Sequence, residues 1–282
     1  MKMKTRIIGL AVLLFGLSVS LWTACDKIAD DEMRIGPEKI VLSDEDEPIV
    51  DSMQYIVLED FTGVQCPNCP KAATEGQKLK AQYKSQLILI ELHPEKAGVA
   101  APYDGEADLR STAAQTYFDY WKGNSLPAGL VNRSSAQTLQ FGKWETAVAA
   151  ISTQEPVATV NQVSAKLSGQ TLSVEASGYF REDYAASGNI NMIVMVLEDG
   201  FKGQQAGSEQ SDYPHNHVLR ATIGDEWGEK IDVTPNAGEK FTLTKSMDVD
   251  EGWNTDNLSV VCLLTDADTR AVLNAAKVKV KK

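Results

Sequence analysis

The polar and apolar positions divide the chain into two regimes. Tyr55-Ile56-Val57-Leu58 is a short apolar run bounded by Glu59-Asp60 and predicts a strand. Residues 71 to about 83 predict a helix, with Ala72, Ala73, Gly76, Leu79 and Tyr83 on or near one face. Residues 87–92 read as a second buried strand, 106 to about 121 as an alanine-rich helix, and Leu130-Val131 as the start of a third strand. A last helix is expected over 141–151. Alternating strands and helices predict an α/β unit.

Beyond Pro156 the period becomes that of strands. Segments 157–167, 171–180, 190–197, 218–223, 240–247, 258–264 and 271–280 are each expected to be extended. Thr171-Leu172-Ser173-Val174-Glu175-Ala176 alternates strictly, so its apolar side chains share one face. Ser168-Gly169, Ser187-Gly188, Asp199-Gly200 and Asn236-Ala237-Gly238 supply turns between strands. These strands predict an antiparallel, immunoglobulin-like β-sandwich without the paired cysteines of antibody domains.

The first residues change the picture of where the protein works. Lys2, Lys4 and Arg6 precede an apolar run from Ile7 to about Val19, then Ala24 and Cys25. This is a secretory leader over 1–24, and its apolar run is shorter than a membrane span. Cys25 stands where a bacterial lipoprotein signal carries its acylated cysteine, although Trp22 occupies the position usually held by Leu. The alternative is an ordinary leader with an incidental cysteine. Acylation would anchor the protein without a spanning helix. Residues 25–52 are crowded with acids, including Asp30, Asp31, Glu32, Asp44, Glu45, Asp46 and Glu47, and read as a tether. A sorting signal or a weak calcium site is the sharper alternative for this stretch. The expected organisation is thus leader (1–24), tether (25–52), α/β domain (53–154) and β-sandwich (155–282).

The formal net charge is −12 and no basic cluster exists, which excludes nucleic acid and anionic lipid surfaces as charge-driven partners. Among four cysteines, Cys262 sits in an apolar run and predicts a buried small side chain. Cys66 and Cys69 form a C-x-x-C pair. A thiol at a helix N-terminus is held as thiolate by unpaired amides and the helix dipole. Cys66 would be the exposed nucleophile and Cys69 the resolving thiol. A local structural disulfide is the alternative. A structural zinc site wants four ligands, and there is no second C-x-x-C. No metal and no cofactor is therefore expected. His93, before Pro94, reads as a polar strand end, with a copper-handling role beside the dithiol as its alternative. His215 and His217, two apart, would share one face of a strand. They read as loop-closing residues, with a metal pair as the alternative, and Arg220 would pair with a carboxylate.

Leu58-Glu59-Asp60-Phe61-Thr62-Gly63-Val64-Gln65-Cys66-Pro67-Asn68-Cys69-Pro70 resembles the thioredoxin superfamily. The resemblance implies that Asp60 is the buried acid that assists proton transfer, and that Pro127, in Ser125-Leu126-Pro127, is the cis-proline opposite the dithiol. Gln65 departs from the Trp that often precedes the first cysteine. Taken whole, the chain resembles the outer-membrane lipoproteins named for a twenty-eight-kilodalton member. The matching stretches are Asp60-Phe61-Thr62-Gly63, the C-x-x-C segment, Leu126-Pro127 with Val131-Asn132-Arg133, and Pro214-His215-Asn216-His217-Val218-Leu219-Arg220. This implies a thioredoxin-like domain joined to an immunoglobulin-like one, in the outer membrane, on its periplasmic or its surface-exposed face.

Two functions stay open on the sequence. One is an envelope thiol–disulfide oxidoreductase resting on Cys66, Cys69, Asp60 and Pro127, with protein thiols or disulfides as partners. The other is a surface receptor or adhesin whose sandwich contacts an unknown ligand and whose thioredoxin-like half is non-catalytic.

Overall fold

The computed structural model describes residues 48–184 and 188–282. The leader, Cys25 and the tether up to residue 47 lie outside the described residues. In chain order the elements are β1 (Ile56–Phe61), α1 (Cys69–Tyr83), β2 (Leu87–Leu92), α2 (Thr112–Tyr120), β3 (Ala128–Val131) and α3 (Trp144–Ser152). Strands follow: β4 (Ala158–Ser168), β5 (Thr171–Phe180), β6 (Ile190–Glu198), β7 (Phe201–Gly203), β8 (Tyr213–His215), β9 (Val218–Thr222), β10 (Glu229–Lys230), β11 (Lys240–Asp248), β12 (Leu258–Asp266) and β13 (Val272–Lys279).

The main sheet has the order β13-β12-β6-β9-β2-β1-β3, with β10 beside β6. β1 and β2 are parallel, and β3 runs antiparallel to β1 with Ala128 opposite Phe61. One face of β1 and β2 (Ile56, Leu58, Leu87, Leu89) packs on Ala72 and Leu79 of α1 and on Trp144 and Val148 of α3. The other face (Val57, Phe61, Ile90, Leu92) packs on Ala114 and Tyr117 of α2. Covered on both sides, these strands read as continuous apolar runs. β1 also runs through Glu59 and Asp60, which the sequence pattern placed at its end.

The change of element type at residues 154/155 does not divide the structure. The parallel neighbour of β2 is β9, with Glu91 opposite Val218, so a single sheet crosses the expected domain boundary. Ile193, Met195, Leu197, Val261 and Leu263 join the core that holds α2. The opposite face of β6 and β12 packs on a second sheet of order β11-β5-β4, in a core that includes Val194, Cys262, Val174 and Phe180. The sheet also curls back on itself. The Val272 amide donates to the Asn132 carbonyl at 3.0 Å, and the Tyr55 amide to the Asn274 side chain at 3.0 Å. The last strand thereby reaches the edge formed by β1 and β3.

The seven long strands expected beyond Pro156 are all present. The helix expected over 106–121 is shorter. Ser111 caps it by accepting from the Ala114 amide at 3.3 Å, so α2 begins at Thr112 and the preceding residues are loop. Among the described residues, no helix is long and apolar enough to cross a membrane.

Candidate functional site

Cys66 and Cys69 are joined as a disulfide immediately before and at the first residue of α1. Asn68 is the cap residue and Pro70 occupies the first turn, where its missing amide costs nothing. Pro67 lies in the preceding turn. The Cys69 amide donates to the Cys66 carbonyl at 3.2 Å. The peptide bond between Leu126 and Pro127 is cis, and Pro127 leads into β3 beside the end of β1.

The structure corrects the expectation of an exposed nucleophile. Cys66 is only 2% exposed and Cys69 1%. A strap formed by residues 204–208, between β7 and β8, lies over the turn. The Gln205 side-chain amide donates to the carbonyls of Gly63, at 3.2 Å, and Cys66, at 3.0 Å. The Ala206 amide donates to the Val64 carbonyl at 2.8 Å. Glu106 holds the base of the strap, accepting from the Gln204 amide at 3.0 Å. The strap comes from far along the chain, and no local pattern around Cys66 announces it.

Asp60 points to the α1 side of the sheet, on the same face as Ile56 and Leu58. It lines a cavity of about 20 Å³ together with Ala73, Gly76 and Gln77 of α1 and with Glu91. That is room for roughly one water. Burial, reinforced by the charge of Glu91, raises the Asp60 carboxyl well above the ordinary carboxylate range. Its Oδ1 atom is buried with no hydrogen-bond partner.

Glu91 is the register partner of Asp60 on β2. Burial pushes its carboxyl up to about 7, against the pull of His215 and His217. His93 follows on the same face and is 1% exposed. Burial drives its pKa down to about 3, so the imidazole is neutral. His93 Nε2 stands 3.9 Å from Glu91 Oε2, and the rings of His93 and His215 are 6.2 Å apart.

His215 and His217 do not share a face. His217 has a φ of +58°, which breaks the extended run between β8 and β9. His215 therefore turns toward Glu91 and His93, while His217 Nδ1 pairs with Asp199 at 3.0 Å. Burial works against the Asp199 carboxylate, but the hydrogen bond from His217 holds it far below its usual range. Arg220 pairs with Glu198 at 3.4 Å, the carboxylate partner expected of it. Cys262 is fully buried in β12 as expected.

One buried pair had no counterpart in the sequence reading. Arg133 makes two hydrogen bonds to Glu59, at 2.6 and 2.9 Å, with both side chains fully buried. Its guanidinium also lies over the ring of Tyr117 at 4.2 Å. The sequence signal was Glu59 inside an apolar strand, which a buried partner must neutralise.

No curated protein matches the chain significantly in sequence. Among solved structures, HBP35 of Porphyromonas gingivalis has a TM-score of 0.63 at 18% identity, covering 81% of this chain and 76% of that one. That likeness extends over both halves and shows a shared fold. A protein from Agrobacterium tumefaciens has a TM-score of 0.49 at 14% identity, over 81% of this chain and 96% of its own. A domain of the outer membrane lipoprotein Omp28 from Porphyromonas gingivalis has a TM-score of 0.31 at 19% identity, over 45% of this chain and 89% of that domain. The model of the outer membrane protein family Omp28 matches residues 114–282, more than half of the chain. The chain belongs to the Omp28 family of outer membrane proteins.

Proposed function

We propose that this outer-membrane lipoprotein carries a strap-covered disulfide, Cys66–Cys69, that exchanges with protein thiols once the strap lifts. In this reading residues 53–154 are thioredoxin-like and the strands after 155 form an immunoglobulin-like layer fused to them. Lipid on Cys25 is the membrane anchor. The strand order β2-β1-β3, with a helix starting at the second cysteine, supports the thioredoxin-like reading.

The observation that carries the redox reading is Asp60. A carboxyl group buried without a partner on Oδ1 costs stability, and such groups concentrate where proton transfer is needed. A purely structural disulfide has no use for one. In exchange, a thiolate of the partner attacks Cys66 Sγ, the S–S bond breaks, and the electron pair leaves on Cys69 Sγ. The Asp60 carboxyl, whose hold on its proton burial strengthens, supplies the proton that Cys69 takes up. A second partner thiolate then resolves the mixed disulfide, so the partner dithiol is oxidised by two electrons and Cys66 and Cys69 are reduced.

The sealing of Cys66 favours a second reading, in which the disulfide only pins the turn and the protein acts as a receptor or adhesin. Reduction kinetics with dithiothreitol on the full chain separate the two. Exchange through strap opening expects Gln205→Ala to accelerate reduction about tenfold or more while circular dichroism shows the fold retained. It also expects Asp60→Asn to slow reduction by about tenfold or more, at the low end of general acid catalysis. If both variants reduce only as fast as the protein globally unfolds, the exchange reading fails and the binding reading stands.

A further inference from the structure

From the convergence of Glu91, His93 and His215 we infer a binding site for a divalent transition metal, with zinc as the best fit. One donor atom from each residue lies within 4.8 Å of the others. His93 has neither ring nitrogen hydrogen-bonded, and His215 leaves Nε2 unpartnered, although both side chains are buried. Buried polar atoms almost always have partners, so an unpartnered nitrogen on each of two imidazoles beside one carboxylate calls for a common acceptor of their lone pairs. A metal ion takes one nitrogen from each ring and one carboxylate oxygen at once.

The backbone explains why the three meet. Glu91 and His93 alternate onto one face at the end of β2. The Glu91 amide donates to the His217 carbonyl at 2.8 Å, which docks the turn after β8 beside β2. His215, at the end of β8, is delivered to the same spot. The main chain of Gln204 hydrogen-bonds the His215 ring, which orients its free nitrogen as outer partners orient metal-binding histidines.

The donor set selects the ion. Two imidazoles and one carboxylate suit zinc and its neighbours and disfavour calcium and magnesium, which want oxygen alone. Zinc bound at about 2.0–2.2 Å brings its donors to roughly 3.3 Å from one another, so the side chains close in by up to about 1.5 Å. Water completes a four-coordinate site. The site joins the end of β2 to the hairpin that carries the strap, a placement independent of whether the disulfide exchanges.

The test is titration of tag-free mature protein, stripped with a chelator, with zinc chloride at pH 7.5 by calorimetry. Cobalt(II) absorption reports the geometry. The expected result is one zinc per chain, a four-coordinate cobalt spectrum, and at least tenfold weaker zinc binding in His93→Ala and in His215→Ala. Glu91→Gln changes no size and keeps the variant series decisive should a histidine variant not fold, and it too weakens binding. Absence of binding to the wild type at 100-fold molar excess overturns the site. Zinc affinity unchanged in Glu91→Gln and in a folded histidine variant also overturns it.

Discussion

Gly207 lies so close over Pro67 that a β-carbon built on it would fall 2.1 Å from the Pro67 carbonyl oxygen. Its φ of +80° is also a conformation that other residues rarely adopt. The close approach seats the strap on the main chain of the disulfide turn, beside the hydrogen bonds of the Gln205 side chain.

Gly207→Ala is therefore expected to lift the strap. The clash is with main-chain atoms of Pro67, which α1 and the disulfide hold in place. The strap must yield, because its own anchors are a few hydrogen bonds to Gly63, Val64, Cys66 and Glu106. Alkylation of reduced Cys66 by iodoacetamide, and reduction of the oxidised protein, should both accelerate, with the circular dichroism of the sheets unchanged. Rates equal to wild type in a folded variant would show that the strap does not control access.

Arg133→Met is expected to destabilise the protein by about 3–5 kcal/mol, because it leaves the Glu59 carboxylate buried and unpaired. The double variant Glu59→Gln/Arg133→Met should recover part of that loss, since no charge remains inside. Urea unfolding of the three proteins measures both steps. A loss under about 1 kcal/mol for the single variant, the range of an exposed pair, would mean that water reaches Glu59.

The element boundaries were legible wherever one physical signal dominated. Strict alternation over β5 marked a strand covered on one side, and its buried positions follow that alternation. The runs over β6 and β12 carried a second message. Neither alternates, and both are buried on two faces, one toward β4 and β5 and one toward α2. That is the signature of a central strand, and it is why the two halves share a sheet. The C-x-x-C pair was legible because its spacing is local, whereas Asp60 and Pro127 were singled out by resemblance. Gln205 and Glu91 were not, and His215 was singled out with the wrong companion, because what brings them together is the pairing of β9 with β2 within the curled sheet. Pairings across 139 residues leave no period in the sequence.

Asn274 shows how that curl is held, and its loss should be costly. Its side chain accepts from the Tyr55 amide at 3.0 Å and donates to the carbonyls of Ala158, at 2.9 Å, and Met53, at 3.2 Å. One residue of β13 thus joins the entry to β1 and the start of β4. Asn274→Ala removes these bonds and strands buried backbone groups, each worth about 1–3 kcal/mol when unsatisfied. A loss of about 3 kcal/mol or more in urea unfolding is expected, with faster hydrogen exchange at the Tyr55 amide. Asn274→Asp keeps the acceptor for Tyr55 and loses the donors, so it should protect the Tyr55 amide while still lowering stability. Equal exchange in all three proteins would assign closure of the sheet to other contacts.

Cys262 gives a pH dependence whose sign can be worked out. It sits in β12 within the core between the two sheets, and burial pushes its thiol up to about 12. An unfolded thiol titrates at about 8.5. Below that value both states keep the proton and stability does not depend on this group. Between the two values the unfolded chain releases the proton while the folded chain retains it. The native state then binds more protons, so stability falls as pH rises, by about 1.4 kcal/mol per unit. Tyrosines and lysines titrate in the same range, which makes the wild type alone uninformative. Cys262→Ala keeps those groups and removes only the thiol, replacing its effect with a constant cavity cost. The stability advantage of wild type over Cys262→Ala should accordingly shrink by about 2 kcal/mol between pH 8.5 and pH 10 in urea unfolding without reductant. A difference that stays constant across that interval would mean that the folded thiol ionises as readily as the unfolded one, which a side chain enclosed between two sheets cannot do.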